Sequence, residues 1–241
     1  MARGGMWVRI LVVSSVGVFA TMAGAAEAGA VTGGHVAGYV APPGFNPTQT
    51  AAVTLVVPTI NCSKVPVGGF QAVLAGSRLE TPAGNTSGGA ALICPGGPLA
   101  SYQPFIQING VPIASAITVN PGDVVSVTLS EGPIGSTVTL SDGTQTQTAS
   151  GPGGAVTSED IGDIAANCIG SACSPVPKSK PTKFSAASVN SQNLLLAGAA
   201  QQYLLDVAGA PQITSTVLKK KTFDAFRTKW VQSCGVGPGR C

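Results

Sequence analysis

From Asp123 to Ser130 the side chains alternate, with Val125, Val127 and Leu129 on one face and Ser126, Thr128 and Ser130 on the other. A period of two belongs to a strand with one buried and one wet side, and a helix does not satisfy it. Alternation, or a short apolar run bounded by turn residues, marks further strands near Ala51 to Val57, Phe70 to Leu74, Ala90 to Ile93, Tyr102 to Asn109, Ser136 to Ser141, Lys183 to Val189, Gln202 to Val207 and Thr222 to Trp230. Asn109-Gly110 and Asp142-Gly143 tolerate the positive φ of tight hairpins, and Asn120-Pro121-Gly122 is a strong turn run. Many short strands punctuated in this way give an all-β fold, an antiparallel β-sandwich or barrel. Charged residues make up 10% of the chain, with 32 Gly and 18 Pro, against roughly 25% charged in an average domain, which disfavours long solvated helices. The 44% of apolar residues suffices for a sizeable core.

One short helix is expected, where Thr157 and Asp160 form a capping box ahead of Ile161, Ile164, Ala165 and Cys168 on one face. The stretch from Cys168 to Pro181, rich in Ser, Pro and Lys, reads as an exposed loop inside one domain spanning residues 31–241.

Arg3 and Arg9 precede a mainly apolar run, Ile10 to Ala20, followed by the cleavage-type triplets Ala23-Gly24-Ala25 and Ala28-Gly29-Ala30. This is the layout of a secretory signal peptide over residues 1–30. The run is too short for a stable transmembrane anchor, and Ser14, Ser15 and Gly17 interrupt it. The expected location is therefore extracellular. In an oxidising compartment the six cysteines, Cys62, Cys94, Cys168, Cys173, Cys234 and Cys241, read as three disulfides. Six cysteines allow about 15 pairings. The economical set closes two small loops, Cys168 with Cys173 and Cys234 with Cys241, and leaves Cys62 with Cys94. A zinc site would need CxxC knuckles and a supporting histidine, and the one histidine is His35.

Charge is uneven, with 2 basic against 7 acidic residues over 31–177 and 9 against 2 over 178–241. Mutual attraction of neighbouring strands is the favoured reading, ahead of a polyanion-binding face. The overall net charge of +3 does not suggest an extended nucleic-acid surface. A Ser-His-Asp hydrolase would have to use His35, and no GxSxG elbow occurs. No GxGxxG or GxxxxGK[ST] loop precedes a helix, so no nucleotide cofactor is implied, nor any metal. A catalytic thiolate is disfavoured because all six cysteines can be consumed structurally.

Several stretches together resemble one family. Gly38-Tyr39-Val40, then Phe45 and Val53-Thr54-Leu55-Val56-Val57-Pro58, are similar to the opening strands of the eqolisins, the glutamic peptidases of family G1. Phe70 to Gly76 resembles the following strand, Leu92-Ile93-Cys94-Pro95-Gly96 falls where the family has Leu-Ile-Gln-x-Gly, and Tyr102 to Gln107 where it has Tyr-x-x-Trp-Tyr-Glu. Ile117 to Asp123 is close to the family's strand and Gly-Asp turn. The resemblance covers about 190 residues, and it implies a concanavalin-type jelly-roll sandwich. It also implies a mechanism in which a glutamate on the concave sheet acts as general base on water while a glutamine stabilises the oxyanion.

The departures from that pattern decide the functional expectation. Cys94 stands at the glutamine, Gln107 at the glutamate of the aromatic-rich motif, and Phe105 at its tryptophan. The catalytic glutamate lies in an Ala-Glu-Phe/Trp-Ile motif, which Thr182-Lys183-Phe184 matches with Lys183 at the carboxylate. A lysine is protonated at acidic pH unless strongly desolvated, and a cysteine lacks the amide donors of an oxyanion site. The expectation is a secreted, disulfide-bonded sandwich without glutamic peptidase activity and with a binding or structural role. A face lined by Tyr102, Gln103, Phe105 and Gln107 would take an extended peptide or a glycan. The alternative is an acid endopeptidase with relocated carboxylates such as Glu80 or Asp206.

Overall fold

The computed structural model describes residues 32–166, 168–169, 172–206, 209–218 and 222–231. All regular elements among these residues are strands. The N-terminal part holds β1 (Thr32–Gly34), β2 (Val36–Ala41), β3 (Gln49–Val56), β4 (Ile60–Asn61), β5 (Gln71–Thr81), β6 (Gly84–Cys94), β7 (Ser101–Ile108) and β8 (Val111–Pro112). The middle holds β9 (Val124–Gly132), β10 (Gly135–Ser141), β11 (Thr146–Gly151), β12 (Ser158–Ala165), β13 (Cys168–Ile169), β14 (Ala172–Cys173) and β15 (Lys178–Ser179). The C-terminal part holds β16 (Thr182–Val189), β17 (Gln192–Asn193), β18 (Ala200–Leu205), β19 (Pro211–Val217) and β20 (Phe226–Trp230).

One sheet runs in the order β11-β10-β9-β3-β16-β20-β19-β18-β2-β12-β5-β6-β7-β8, with β17 beside β16 and β1 parallel to β18. The pairing register shifts at Leu204/Leu205, between β18 and β19. The sheet curls back on itself, so β9 and β10 pack on β6, and β3 packs on β5. The result is an antiparallel sandwich of two halves. The first half runs from β11 to β19 and the second from β18 to β8.

The alternation seen in the sequence sorts side chains between the core and the outside. Val125, Val127 and Leu129 are fully buried while Ser126 and Thr128 are exposed. Val53 and Leu55 meet Leu79, Leu92, Ile106 and Ile161 from the other half in one core. Phe184 and Phe226 stack at 4.6 Å between ring centres, and Tyr39 from the second half packs edge-on to Phe226 at 5.0 Å.

Two expectations are corrected. The segment from Thr157 to Cys168 is not a helix: β12 is a strand, and Thr157 hydrogen-bonds through its Oγ1 and its amide to the Glu80 carbonyl of β5 instead of capping. From Glu159 to Ala165 β12 is buried throughout, so its apolar residues lack the alternation of a half-wet strand and mimic a helical stripe. The stretch from Cys168 to Pro181 is not a free loop either. The β13–β14 hairpin and the β15–β4 pair tie it down, and Cys173, Val176 and Pro177 are buried. The signal-like segment, residues 1–30, lies outside the described residues, among which no helix is long and apolar enough to cross a membrane.

Candidate functional site

The outer face of the second half carries three ranks of side chains that follow from strand register. One rank runs Val40, Asp160, Arg78, Ser87, Gln107 across β2, β12, β5, β6 and β7. The next runs Gly38, Gly162, Gly76, Gly89, Phe105, and the third Val36, Ile164, Leu74, Ala91, Gln103. Four glycines thus lie side by side on four neighbouring strands. A Cβ on Gly76 would stand 2.1 Å from the Gly88 carbonyl oxygen, and one on Gly162 would stand 2.2 Å from that of Ala37. No side chain fits these places. Beside these four glycines, Val36, Leu74 and Ile164 of the third rank form a small buried cluster that Val40 and Phe105 pack against.

At one end of this face Asp160, fully buried, receives Arg78 Nε at 3.0 Å, Arg78 Nη2 at 2.6 Å and His35 Nε2 at 3.1 Å, all on Oδ2. Arg78 also meets Glu80 Oε1 at 2.8 Å. Burial pushes the Asp160 carboxyl up, but the His35 hydrogen bond and the Arg78 charge outweigh it and hold the group below the usual carboxylate range. Its Oδ1 is shut off from solvent and has no hydrogen-bond partner. His35, Glu80 and Asp160 offer ligand atoms within 4.8 Å of one another. The Arg78 guanidinium already supplies the positive charge at their centre, so the donor set does not suit a metal ion.

The neighbouring residue points the other way. Glu159 pairs with Ala41 and Leu79, both core residues, and lies inside the sandwich. Neither of its oxygens has a hydrogen-bond partner. Burial pushes it up to about 7, offset in part by the nearby amide of Asn190, which donates to Gln49 Oε1 at 2.5 Å, and increased by the charge of Asp160. Asp163, also inward, accepts hydrogen bonds from Thr182 and Thr228 of the opposite half. Burial nevertheless raises it to about 6. Glu131 shows a satisfied counterpart, with Thr86 Oγ1, Ser136 Oγ and the Gly154 amide within 2.7 Å of its oxygens.

Of the residues singled out in the sequence, Gln103, Phe105 and Gln107 share this outer face. Gln107 donates to the Gly110 carbonyl at 2.6 Å and accepts from Ser87 Oγ at 3.3 Å. Tyr102 does not belong with them. It alternates onto the inner side, where its hydroxyl accepts the Ile60 amide at 2.8 Å and its ring packs on the core. Cys94 is buried on the inner side and bonded to Cys62, and Cys168 is bonded to Cys173, as the spacing suggested. Cys234 and Cys241 lie outside the described residues. Denatured, unreduced protein is expected to show no thiol labelling, and substantial labelling at Cys94 would contradict the Cys62 link.

Lys183 is exposed on β16, opposite Val56 and Arg227 in the first half, and does not come together with Cys94 or Gln107. A Glu-x-Ile run, part of the Ala-Glu-Phe/Trp-Ile pattern, occurs at Glu159-Asp160-Ile161, on β12, in the same half as β6 and β7. This signal was hidden by reading the segment as a helix. Of the relocated carboxylates considered, Glu80 reaches the outer cluster. Asp206 does not: it is buried at the end of β18, where its Oδ1 accepts the Ala210 amide.

No protein-family model and no curated protein matches the sequence. Solved structures do. A scytalido-glutamic peptidase in complex with a transition-state analogue inhibitor superposes with a TM-score of 0.63 at 17% identity, covering 82% of this chain and 98% of the other. SCP-B, described as a member of the eqolisin family and bound to the tripeptide Ala-Ile-His, superposes with a TM-score of 0.61 at 16% identity over the same shares. The fold is eqolisin-like. On this eqolisin-like frame Cys94 is consumed by a disulfide, and Glu159 is turned into the core.

Proposed function

We propose that this is an exported, single-domain protein, cut near residue 30, that holds an extended polypeptide on the outer face of its second half without cleaving it. The observation that carries this reading is the state of Asp160: it is the outward carboxylate of β12, and its oxygens are taken by Arg78 and His35 or closed to solvent. A general base must reach a water, and Asp160 Oδ1 has no access to one. Glu80, the other outward carboxylate, is engaged by the same arginine. Gln103, Gln107 and Phe105 offer amide groups and one aromatic surface to a bound chain, which is the chemistry of peptide recognition. The tripeptide held by a fold neighbour makes a peptide the favoured ligand over a glycan. Two disulfides among the described residues support the exported location.

The test is retention on immobilised, reduced and alkylated casein at pH 4 and pH 7. The parent is expected to bind, and Phe105→Ala and Gln107→Ala to weaken binding about tenfold each, on the order of 1.4 kcal/mol. Absence of binding by the parent, or unchanged binding by both variants, contradicts the reading.

A further inference from the structure

Two adjoining cavities open at the end of the sandwich next to the Cys62–Cys94 disulfide, away from the Asp160 cluster. The first, about 100 Å³, is lined by Lys64, Lys178, Trp230, Asn61 and Gln71 among others. The second, about 380 Å³, shares Asn61 and Lys178 and adds Lys180. The larger lies within the range of small-ligand sites, roughly 300 to 1,000 Å³. Neither lining contains an acidic residue.

Among the described residues the cations gathered here have no counter-ion. Mutual attraction between the acidic and basic segments was the favoured reading of the sequence, but among the described residues Lys178, Lys180, Lys183, Arg227 and Lys229 form no ion pair. The three ion pairs between side chains of the described residues involve Arg78 or His35. Lys64 is likewise unpaired. Trp230 adds a second sign: its half-buried ring forms a wall of the smaller cavity beside Lys178.

We infer that this double cavity binds the oxyanion groups, sulfate or carboxylate, of an acidic glycan, with Lys64, Lys178 and Lys180 as the charged contacts. Two features favour a sugar chain over a nucleic acid. The Lys178 ammonium lies 5.2 Å from the centre of the Trp230 ring and occupies a face on which a base would stack. The uncharged lining groups, Asn61, Ser63 and Gln71, are amides and a hydroxyl suited to sugar hydroxyls.

The test uses residues 31–241, the exported form under the reading above, in which Trp230 is the one indole of the two in the sequence. Tryptophan fluorescence is titrated with a heparin-derived tetrasaccharide, tetragalacturonate, neutral dextran, inorganic sulfate and single-stranded DNA, each at low and at physiological salt. A saturable change with the sulfated or the carboxylated oligosaccharide is expected, and the two arms separate the anion sources. Lys64→Gln and Lys178→Gln are each expected to weaken it about tenfold, with affinity falling as salt rises. Lys229→Gln, on β20 outside both cavities, is expected to leave it unchanged. Equal binding of dextran or inorganic sulfate, tighter binding of DNA, no response from Trp230, or equal weakening by Lys229→Gln each overturns the assignment.

Discussion

Raising the pH from about 4.5 to 8 is expected to lower the thermal midpoint by about 5 to 10 °C, the reverse of ordinary acid lability. Two inward carboxylates are responsible. Glu159 and Asp163 are raised by burial to about 7 and about 6 in the folded chain, whereas unfolded carboxylates titrate near about 4. A folded state that holds its protons more tightly is most favoured below the unfolded value, and loses that advantage as pH rises through the folded values. For Asp163 alone the loss is on the order of 2 to 3 kcal/mol. Asp160 works in the opposite sense. Its lowered pKa makes its contribution present above the ordinary carboxylate range and lost as pH falls through the folded value. The maximum should therefore lie at mildly acidic pH. Melting curves of the parent, Asp163→Asn and Glu159→Gln across this range check the account, since both variants should flatten the decline towards neutral pH. A midpoint that climbs steadily to pH 8 in all three would contradict it.

The second large effect concerns the rank of glycines. Gly162→Ala is expected to destabilise by about 2 to 4 kcal/mol, a large part of a typical domain's stability. The new Cβ would lie 2.2 Å from a backbone oxygen of β2, and backbone in a paired strand has nowhere to move. Gly76→Ala meets the same obstacle from β6 at 2.1 Å. Gly135→Ala, whose Cβ would stand 3.3 Å from the Gly151 oxygen, serves as comparison and should cost far less. Urea unfolding of the three variants distinguishes a crowded sheet centre from a general intolerance of alanine. Comparable midpoints for Gly162→Ala and the parent would mean that β12 and β2 are not paired as described.

These two predictions rest on parts of the molecule that were unequally legible. Half-wet strands such as β9 announced themselves because water on one side enforces alternation, and Val125, Val127 and Leu129 are buried as their spacing required. The strands β2 and β12 are covered on both sides, so neither alternates. In β12 the apolar spacing together with Thr157 and Asp160 imitated a capped helix. The site suffered for the same reason. Gln103, Phe105 and Gln107 fell on one face because parity within β7 is a local property. The partnership of Asp160 with Arg78 and His35 spans 82 and 125 residues of sequence and depends on a register that no local pattern specifies. Cys94 was readable as a disulfide half because a signal-like leading segment and an even cysteine count point to pairing independently of the fold.

The central claim, a peptide-holding face without a working base, is tested most directly by incubating the purified parent with denatured casein between pH 2 and pH 6 and following new amino termini. Loss of a general base removes about 10² to 10⁴ in rate and loss of an oxyanion donor about 10² to 10³, so no cleavage above the blank is predicted. Asp160→Asn, Glu159→Gln and Glu80→Gln should be indistinguishable from the parent. Cleavage by the parent that disappears in one of these three variants would contradict the claim and identify the carboxylate that serves as the base.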